Sequence, residues 1–231
     1  MQVPPRAPIN MEQQHIVVGM GEVGQAIQKV FSADHFDTKS KAASNCPHWH
    51  YQYLHICIPY SVDFIKTVNF YKDKFSPITT IIHSTVPVGT SRKCNALHSP
   101  IRGIHPYLYE GVMTFTKFIG GADASEVADV FRKAGLKICL CDKQETTELG
   151  KLLDTEYYRY CIEFSLVAKA QADKFSVPFH EAYTLFNMSY NEGYTTLNHP
   201  EFVRPVLQPI AQPIGGHCVK QNQKLLSLSE L

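Results

Sequence analysis

The sequence predicts an α/β protein in which a doubly wound, mostly parallel sheet is followed by a small all-helical region built on one long helix. In the first half of the chain, short apolar runs alternate with stretches of helical periodicity, as in a parallel sheet flanked by helices. Over 145–174 there is no proline and a single glycine, and apolar residues recur at spacings of three and four.

Six apolar runs predict the strands in order along the chain. They cover 15–19, 54–58, 79–83, 101–104, 115–119 and 136–141. Helical periodicity between them predicts helices over 22–32, 61–73 and 125–134. Beyond the sheet, the long helix over 145–174 spans roughly 45 Å at about 1.5 Å per residue, and further helices are predicted over 179–190 and 218–228.

Length and charge limit the class of protein. The 231 residues are enough for one domain with a smaller partner, and we expect a disordered lead-in over 1–14. Lys and Arg total 22 and Asp and Glu total 21, a balance that argues against nucleic acid as a partner. No apolar run reaches the roughly 20 residues that span a bilayer, and the N-terminus lacks a signal-peptide core. We therefore expect a soluble, cytoplasmic protein without a membrane partner.

The cysteines give no sign of a metal site. There are seven, an odd number, and none forms C-x-x-C, so no structural zinc site is predicted. Cys139 and Cys141 form C-x-C in a predicted strand, where alternation places both side chains on one face. We expect buried, reduced thiols, as in cytoplasmic proteins.

The first predicted strand leads directly into the motif G-x-G-x-x-G. Its residues are Gly19, Met20, Gly21, Glu22, Val23 and Gly24. Gly19 permits the tight turn, Gly21 lets the backbone approach a pyrophosphate, and Gly24 lets the next helix pack closely on the strand. The N-terminus of that helix offers free N–H groups and a partial positive charge to phosphates. The motif in this position predicts a Rossmann-type dinucleotide-binding domain over 15–144.

A carboxylate about twenty residues after the first glycine would bind the ribose hydroxyls of the dinucleotide. Asp37, 18 positions after Gly19, is the predicted residue, and Asp34 is the second candidate. An acid at this position favours NAD over NADP. Lys39 and Lys41 are near enough in sequence to hold a 2′-phosphate, so NADP stays open as the cofactor.

Four segments resemble, in the same order, the family of UDP-glucose, UDP-N-acetylmannosamine and GDP-mannose dehydrogenases. They are 19–24, 84–91, 148–152 and 215–219. The resemblance implies a Rossmann domain and an enzyme that takes a sugar alcohol through an aldehyde to the acid with two NAD. A lysine on a long helix after such a domain also resembles the wider group of 6-phosphogluconate and 3-hydroxy-acid dehydrogenases.

The same resemblance implies roles for single residues. Cys218 matches the cysteine that traps the aldehyde as a covalent adduct, and Lys151 matches the lysine that stabilises the oxyanion. Thr85 matches the threonine that helps to place water and contacts the cofactor region. Pro59 and Ser84, each following a predicted strand, are assigned with Thr85 to cofactor binding.

Several positions depart from the pattern of the family. Where the family has Ser-Pro-Glu, this chain has His105 followed by proline and tyrosine, and His105 is a further catalytic candidate because ligands bind at the C-terminal edge of such sheets. Four residues after the lysine, where the family has an asparagine, this chain has Thr155. Four residues after the cysteine, where the family has an aspartate, it has Asn222. The sequence also ends soon after Cys218, where the family continues into a second nucleotide-binding domain. We expect the cofactor half of the resemblance to hold better than the substrate half.

The sequence thus predicts an NAD(P)-dependent oxidoreductase acting on an alcohol group of a sugar-nucleotide-like or smaller hydroxy substrate. The alternative, favoured by the departures, is a non-catalytic NAD(P)-binding sensor or a degenerate relative with a partner-binding role. The helical domain is predicted over 145–231. Because its long helix over 145–174 has more apolar surface than one small domain can cover, we expect a homodimer through this helix.

Overall fold

A computed structural model describes residues 15–37, 50–209 and 217–230; for 217–221 and 230 it describes the backbone alone. These residues form two compact units, one from the residues up to Lys151 together with those from Leu225 onward, the other from Leu152–Lys224. The predicted lead-in over 1–14 and the two lysines at 39 and 41 lie outside the described residues. The helices in the described part of the chain include none that is long and apolar enough to cross a membrane.

The first unit contains a seven-stranded sheet. Its strands are β1 His15–Val18, β2 Asp34–Phe36, β3 Tyr53–Ile56, β4 Thr79–Ile82, β5 Leu97–His98, β6 Lys117–Gly120 and β7 Ile138–Cys141. The spatial order is β2-β1-β3-β4-β5-β6-β7, and every neighbouring pair is parallel except β5 with β6. The predicted doubly wound, mostly parallel sheet is confirmed.

Helices connect the strands and make up most of the second half. They are α1 Glu22–Phe31, α2 Phe64–Phe75, α3 Thr90–Lys93, α4 Leu108–Thr114, α5 Ala124–Lys133, α6 Gln144–Lys174, α7 Phe186–Thr196 and α8 His217–Ser227. A π-helical turn at His180–Leu185 leads into α7, and short 3₁₀ turns lie at Pro200–Phe202 and Leu228–Glu230. The long helix predicted over 145–174 is α6, with 31 residues.

Both faces of the sheet are covered, which explains why β1 and β3 are buried at every position. One face packs against α1, α4 and α5 around Val17, Ile81 and Phe131. The other packs against α2 around Ile56 and Phe75. The C-terminal ends of β1, β3 and β4 therefore emerge from a closely packed core, and the loops that follow them start from fixed positions.

The strand predicted over 101–104 is wrong. The fifth strand is instead β5, where Leu97 and His98 pair with β4. Pro100 has no N–H to donate to a strand pair, and Gly103 adopts a φ of 147°, which side chains with a Cβ rarely reach. His105 consequently follows a loop and not a strand.

The expectation of buried thiols is wrong for Cys139, which is exposed. Cys139 lies on β7, the edge strand of the sheet, where one side has no neighbouring strand. Burial raises the pKa of the Cys141 thiol, and the neighbouring Cys139 thiol raises it further, as expected for two side chains on one face of the strand. Cys57 and Cys94 are buried, and burial raises the pKa of both thiols.

Candidate cofactor-binding site

The glycine turn between β1 and α1 has the geometry of an anion-binding site. Gly19 has a φ of 94°, and its N–H donates to the carbonyl of Phe36 at 3.0 Å. A Cβ on Gly24 would lie 1.8 Å from the carbonyl oxygen of Gly19, whereas a Cβ on Gly21 would meet no atom within 4 Å. Gly24 is therefore required for packing, and Gly21 faces open space at the N-terminus of α1, where a phosphate can approach the backbone N–H groups.

Asp37 lies directly beside this turn. It follows β2, and its carboxylate accepts the N–H of Met20 at 2.9 Å. Asp34, the second candidate, lies at the start of β2, which is the opposite edge of a parallel sheet, and its carboxylate accepts the hydroxyl of Tyr51 at 2.9 Å. The structure thus brings Asp37, and not Asp34, to the glycine turn.

The loops after β3 and β4 lie at the same edge of the sheet. The Ser84 hydroxyl donates to the carbonyl of Ile58 at 2.5 Å, which joins the two loops. Pro59 follows Ile58 and is exposed, and Thr85 is half-buried. These loops and the glycine turn all extend from the C-terminal ends of parallel strands, the edge at which open α/β sheets bind their ligands.

His105 is also brought to the glycine turn. Its imidazole contacts the carboxylate of Glu22 in the first turn of α1, and both side chains are about half exposed. A carboxylate at a helix N-terminus is favoured by the helix dipole, but it competes with a ligand phosphate for the same N–H groups. The contact therefore places the His105 imidazole beside the N-terminus of α1.

Glu148 joins two of the motifs that resemble the dehydrogenase family. Its side chain is fully buried on α6, and its carboxylate accepts the N–H of Gly89 at 2.6 Å and of Ser91 at 2.7 Å. Burial raises the pKa of Glu148, against the lowering effect of the two N–H donors. Sequence reasoning missed this role because the contact joins residues far apart in the chain; a carboxylate on the buried face of a helix was the only local signal.

Lys151 lies one helical turn beyond Glu148, so the same hydrogen bonds fix the part of α6 that carries it. Its side chain is half-buried. Burial in the sheet lowers the pKa of Lys117 well below its usual value, and the charge of Lys151 lowers this pKa further. Lys151 therefore has a buried basic neighbour that the sequence did not indicate.

Two of the positions that depart from the family pattern meet in the second unit. The Asn222 side-chain amide donates to the Thr155 hydroxyl at 3.0 Å, and Asn222 is buried. The two departures therefore satisfy each other's hydrogen-bonding groups. Cys218 begins the same helix, α8, but its side chain lies outside the described residues, so its role stays a prediction.

An open groove of about 380 Å³ runs along the second unit. Its lining is mostly apolar and includes Phe164, Ala168, Phe175, Val177 and Tyr183. Arg204 also lines it, with its guanidinium 3.5 Å from the ring centre of Tyr190. Among the site residues whose side chains the structure describes, none lines this groove.

No protein-family model and no curated protein matches the sequence. Solved structures share its fold. UDP-D-ManNAc dehydrogenase from Pyrococcus horikoshii gives a TM-score of 0.71 at 16% identity, over 92% of this chain and 63% of that one. 3-Hydroxyisobutyrate dehydrogenase from Mycobacterium tuberculosis gives a TM-score of 0.65 at 14% identity, over 95% of this chain and 88% of that one. A reductive aminase from Aspergillus terreus in complex with NADPH gives a TM-score of 0.54 at 14% identity, over 80% of this chain and 75% of that one.

At these identities the comparisons establish the fold alone. The resemblance to sugar-nucleotide dehydrogenases, and to the wider group that includes a 3-hydroxy-acid dehydrogenase, is confirmed at that level. This chain spans less than two thirds of the length of the Pyrococcus enzyme. One fold here carries three different activities, so function has to be argued from the site.

The buried carboxylate of Glu148 yields a stability prediction. In Glu148→Gln the amide can accept from only one of the two backbone N–H groups, so we expect the free energy of unfolding to fall by about 1–3 kcal/mol. The matched control is Glu145→Gln on the same helix, which weakens an ion pair with the exposed Arg92 and is expected to cost less than about 1 kcal/mol. Urea unfolding measures both, and equal losses would contradict the role assigned to Glu148.

Proposed function

We propose that the protein is an oxidoreductase that binds a nicotinamide dinucleotide and removes a hydride from an alcohol carbon of a small hydroxy substrate. The observation that carries this proposal is the assembly of an open glycine turn, a helix N-terminus and Asp37 at one edge of the sheet. The fold shared with two dehydrogenases and with a reductive aminase in complex with NADPH supports it.

The residues of the turn fit the phosphates and ribose of such a cofactor. Backbone N–H groups at the start of α1 would bind the pyrophosphate, and the space beyond Gly21 leaves room for it. Asp37 would accept hydrogen bonds from the ribose hydroxyls, in a position that its bond to the Met20 N–H already orients. Bound in this way, the nicotinamide supplies the acceptor for the hydride.

We assign the proton of the substrate hydroxyl to Lys151. A lysine beside a developing alkoxide places positive charge where negative charge appears and can take up or return a proton. The Glu148 hydrogen bonds hold this part of α6 against the loop that follows β4, and Thr85 on that loop would orient the substrate hydroxyl. His105, paired with Glu22, would act at the cofactor end.

We propose a two-electron reaction on a smaller substrate over the four-electron oxidation of a sugar nucleotide. The four-electron reaction needs Cys218 as nucleophile and an acid or base nearby. At the two departing positions stand the neutral Thr155 and Asn222, which hydrogen-bond each other. Such a pair supplies neither an acid nor a base at neutral pH.

The same pair favours the alternative, a non-catalytic NAD(P)-binding sensor. If Thr155 and Asn222 replace catalytic groups, the cofactor site can persist without turnover. This alternative predicts that NAD or NADP binds while hydroxy acids, polyols and sugar nucleotides all remain unconverted.

Turnover by two variants distinguishes the two-electron reaction, the four-electron reaction and the non-catalytic sensor. For a two-electron dehydrogenase, Lys151→Met lowers kcat by about 10²–10⁴-fold because the proton-handling group is lost. Cys218→Ala then forms one NADH per substrate consumed, as does the unaltered protein, because no covalent adduct is involved. NADH absorbance and product analysis across the substrate panel provide the measurement.

The outcomes separate cleanly. Two NADH per substrate in the unaltered protein, with arrest at the aldehyde in Cys218→Ala, would establish the four-electron reaction. Cofactor binding without any NADH from the panel would support the sensor.

We propose a second copy of the chain as the partner of α6. Exposed apolar and aromatic side chains follow this helix, among them Tyr157, Tyr160, Phe164 and Val167, each more than half exposed. The groove in the same unit continues this apolar surface through Phe164. A surface of this kind is covered most simply by an identical helix in a two-fold pair.

Light scattering tests this pairing. We expect a dimer at micromolar concentration and a monomer for Phe164→Glu, because a charge at the centre of an apolar contact is not solvated there. Lys66→Glu, on the exposed surface of α2, is the matched control and should stay dimeric. A monomer of the unaltered protein would contradict the proposal.

A further inference from the structure

Three histidines and a lysine form a continuous row of buried, hydrogen-bonded side chains across one face of the sheet. His15 on β1, His55 on β3 and His83 directly after β4 are the three imidazoles, named here the histidine ladder. His15 Nδ1 lies 2.9 Å from His55 Nε2, and His55 Nδ1 lies 2.9 Å from His83 Nε2. His83 Nδ1 lies 3.2 Å from the Nζ atom of Lys117 on β6. The proposed function uses none of these four groups.

The surroundings of the ladder exclude water from its interior. His55 is fully buried, His83 and Lys117 keep 2% and 3% of their surface exposed, and His15 keeps 7%. Neighbouring imidazoles stack with ring centres 5.2 Å apart, and Phe31 stacks on both His15 and His55. Solvent therefore reaches the ladder most readily at His15, which lies at the N-terminal end of β1, whereas the glycine turn follows the C-terminal end of this strand.

The hydrogen-bond directions along the ladder depend on the state of Lys117. The Lys117 amine donates to the carbonyls of Ser99 and Pro100. A neutral amine has no further hydrogen, so His83 Nδ1–H donates, towards the Ser99 carbonyl at 2.7 Å and the amine. His83 Nε2 must then accept from His55, which in turn accepts from His15. All three imidazoles carry their hydrogen on Nδ1.

An ammonium at Lys117 reverses the bonds from Lys117 to His83 and between the imidazoles, while its bonds to the two carbonyls remain. Its third N–H donates to His83 Nδ1, which now accepts, so the His83 hydrogen moves to Nε2. The same reversal follows at His55 and at His15, and all three imidazoles carry their hydrogen on Nε2. The ladder and Lys117 thus have two hydrogen-bonded arrangements that differ by one proton, and only the arrangement with hydrogens on Nδ1 keeps the His83 bond to the Ser99 carbonyl.

We infer that the histidine ladder and Lys117 form a proton relay that carries a proton from the surface at His15 to the buried Lys117. A solvent proton bonds to His15 Nε2, and the Nδ1 proton of His15 passes to His55 Nε2. The Nδ1 proton of His55 passes to His83 Nε2, and that of His83 to Lys117 Nζ. Four N–H bonds form and three break, so the single positive charge ends on Lys117.

Burial sets the resting state of the relay. It lowers the pKa of His15 to about 4, and it lowers the pKa of each of the other three groups well below its usual value. Burial thus favours the uncharged arrangement of the ladder and Lys117, with hydrogens on Nδ1. On acidification we expect the added proton to end on Lys117, where two carbonyls accept from the ammonium.

The other titratable groups around the relay do not neutralise that charge. They are Cys57, Lys151, His98, Tyr53 and Glu126. Tyr53 stacks on His15, and Glu126 acts on Tyr53. Among the described residues, no carboxylate hydrogen-bonds the ladder or Lys117. A proton on Lys117 therefore repels the charge of Lys151. The relay couples proton uptake at one edge of the sheet to the candidate catalytic lysine, and it rests on this geometry and not on the proposed function.

Nitrogen NMR of the full chain labelled with ¹⁵N-histidine tests the relay without cofactor or substrate. Between about pH 8 and about pH 5, above acid unfolding as followed by circular dichroism, we expect the three ladder imidazoles to move from Nδ1–H to Nε2–H at one shared midpoint. His98, buried on the other face, is an internal control. Its Nε2–H donates to the Ser84 carbonyl and its Nδ1 accepts from Thr147, so its tautomer should not change.

Lys117→Met removes the proton acceptor and should hold the ladder in the Nδ1–H form over the whole range. Separate midpoints for the three histidines, mixed tautomers, or an unchanged switch in Lys117→Met would each overturn the relay. Should Lys117→Met fail to fold, His15→Phe retains the stacking with Phe31 and Tyr53 and removes the entry point. Exchange of the His55 and His83 N–H protons with solvent should then slow at least about tenfold; unchanged exchange would also overturn the relay.

Discussion

The close packing of Gly24 against the carbonyl of Gly19 determines where α1 lies over the sheet. A single methyl group at Gly24 would lie 1.8 Å from that carbonyl oxygen, and backbone atoms cannot rotate away from it as a side chain can. The position of α1 in turn places the turn beside Asp37, which accepts the Met20 N–H, and Glu22 beside His105. The chemistry proposed for this edge depends on that one contact.

A second constraint acts inside the first unit, where several charged or titratable groups are buried far from water. Each has hydrogen-bonding partners: Glu148 accepts two backbone N–H groups, and Lys117 donates to two backbone carbonyls. Buried polar groups are retained in proteins when such partners satisfy them. Glu148 fixes the part of α6 that carries Lys151. Lys117 interacts electrostatically with Lys151, whose charge lowers the pKa of Lys117.

The parts of the fold that sequence predicted are those with a local signal. The glycine turn needs three glycines at fixed spacing, and α6 shows its periodicity over 31 residues. The strand over 101–104 was wrong because β5 has two residues, too few to show an alternation. Helix α4 was missed because it contains Gly111, a weak helix former. The glycine is needed there for a tertiary contact, since an added Cβ would lie 2.7 Å from the carbonyl oxygen of Arg102.

The candidate site divides in the same way. Motif spacing predicted the turn and Asp37, and the structure places them together. The Glu148 hydrogen bonds, the Thr155–Asn222 pair and the histidine ladder join residues tens of positions apart, and pattern along the chain carries no information on such pairs. The exposure of Cys139 likewise depends on which strand forms the sheet edge, a property of topology.

Calorimetric titration with NAD and NADP tests the central claim, that the glycine turn and Asp37 bind a nicotinamide dinucleotide. We predict that NAD binds, that Asp37→Asn weakens NAD by about tenfold, or about 1.4 kcal/mol, and weakens NADP less, and that Asp34→Asn leaves both affinities unchanged. An unaltered protein with no affinity for either nucleotide, oxidised or reduced, would contradict the account.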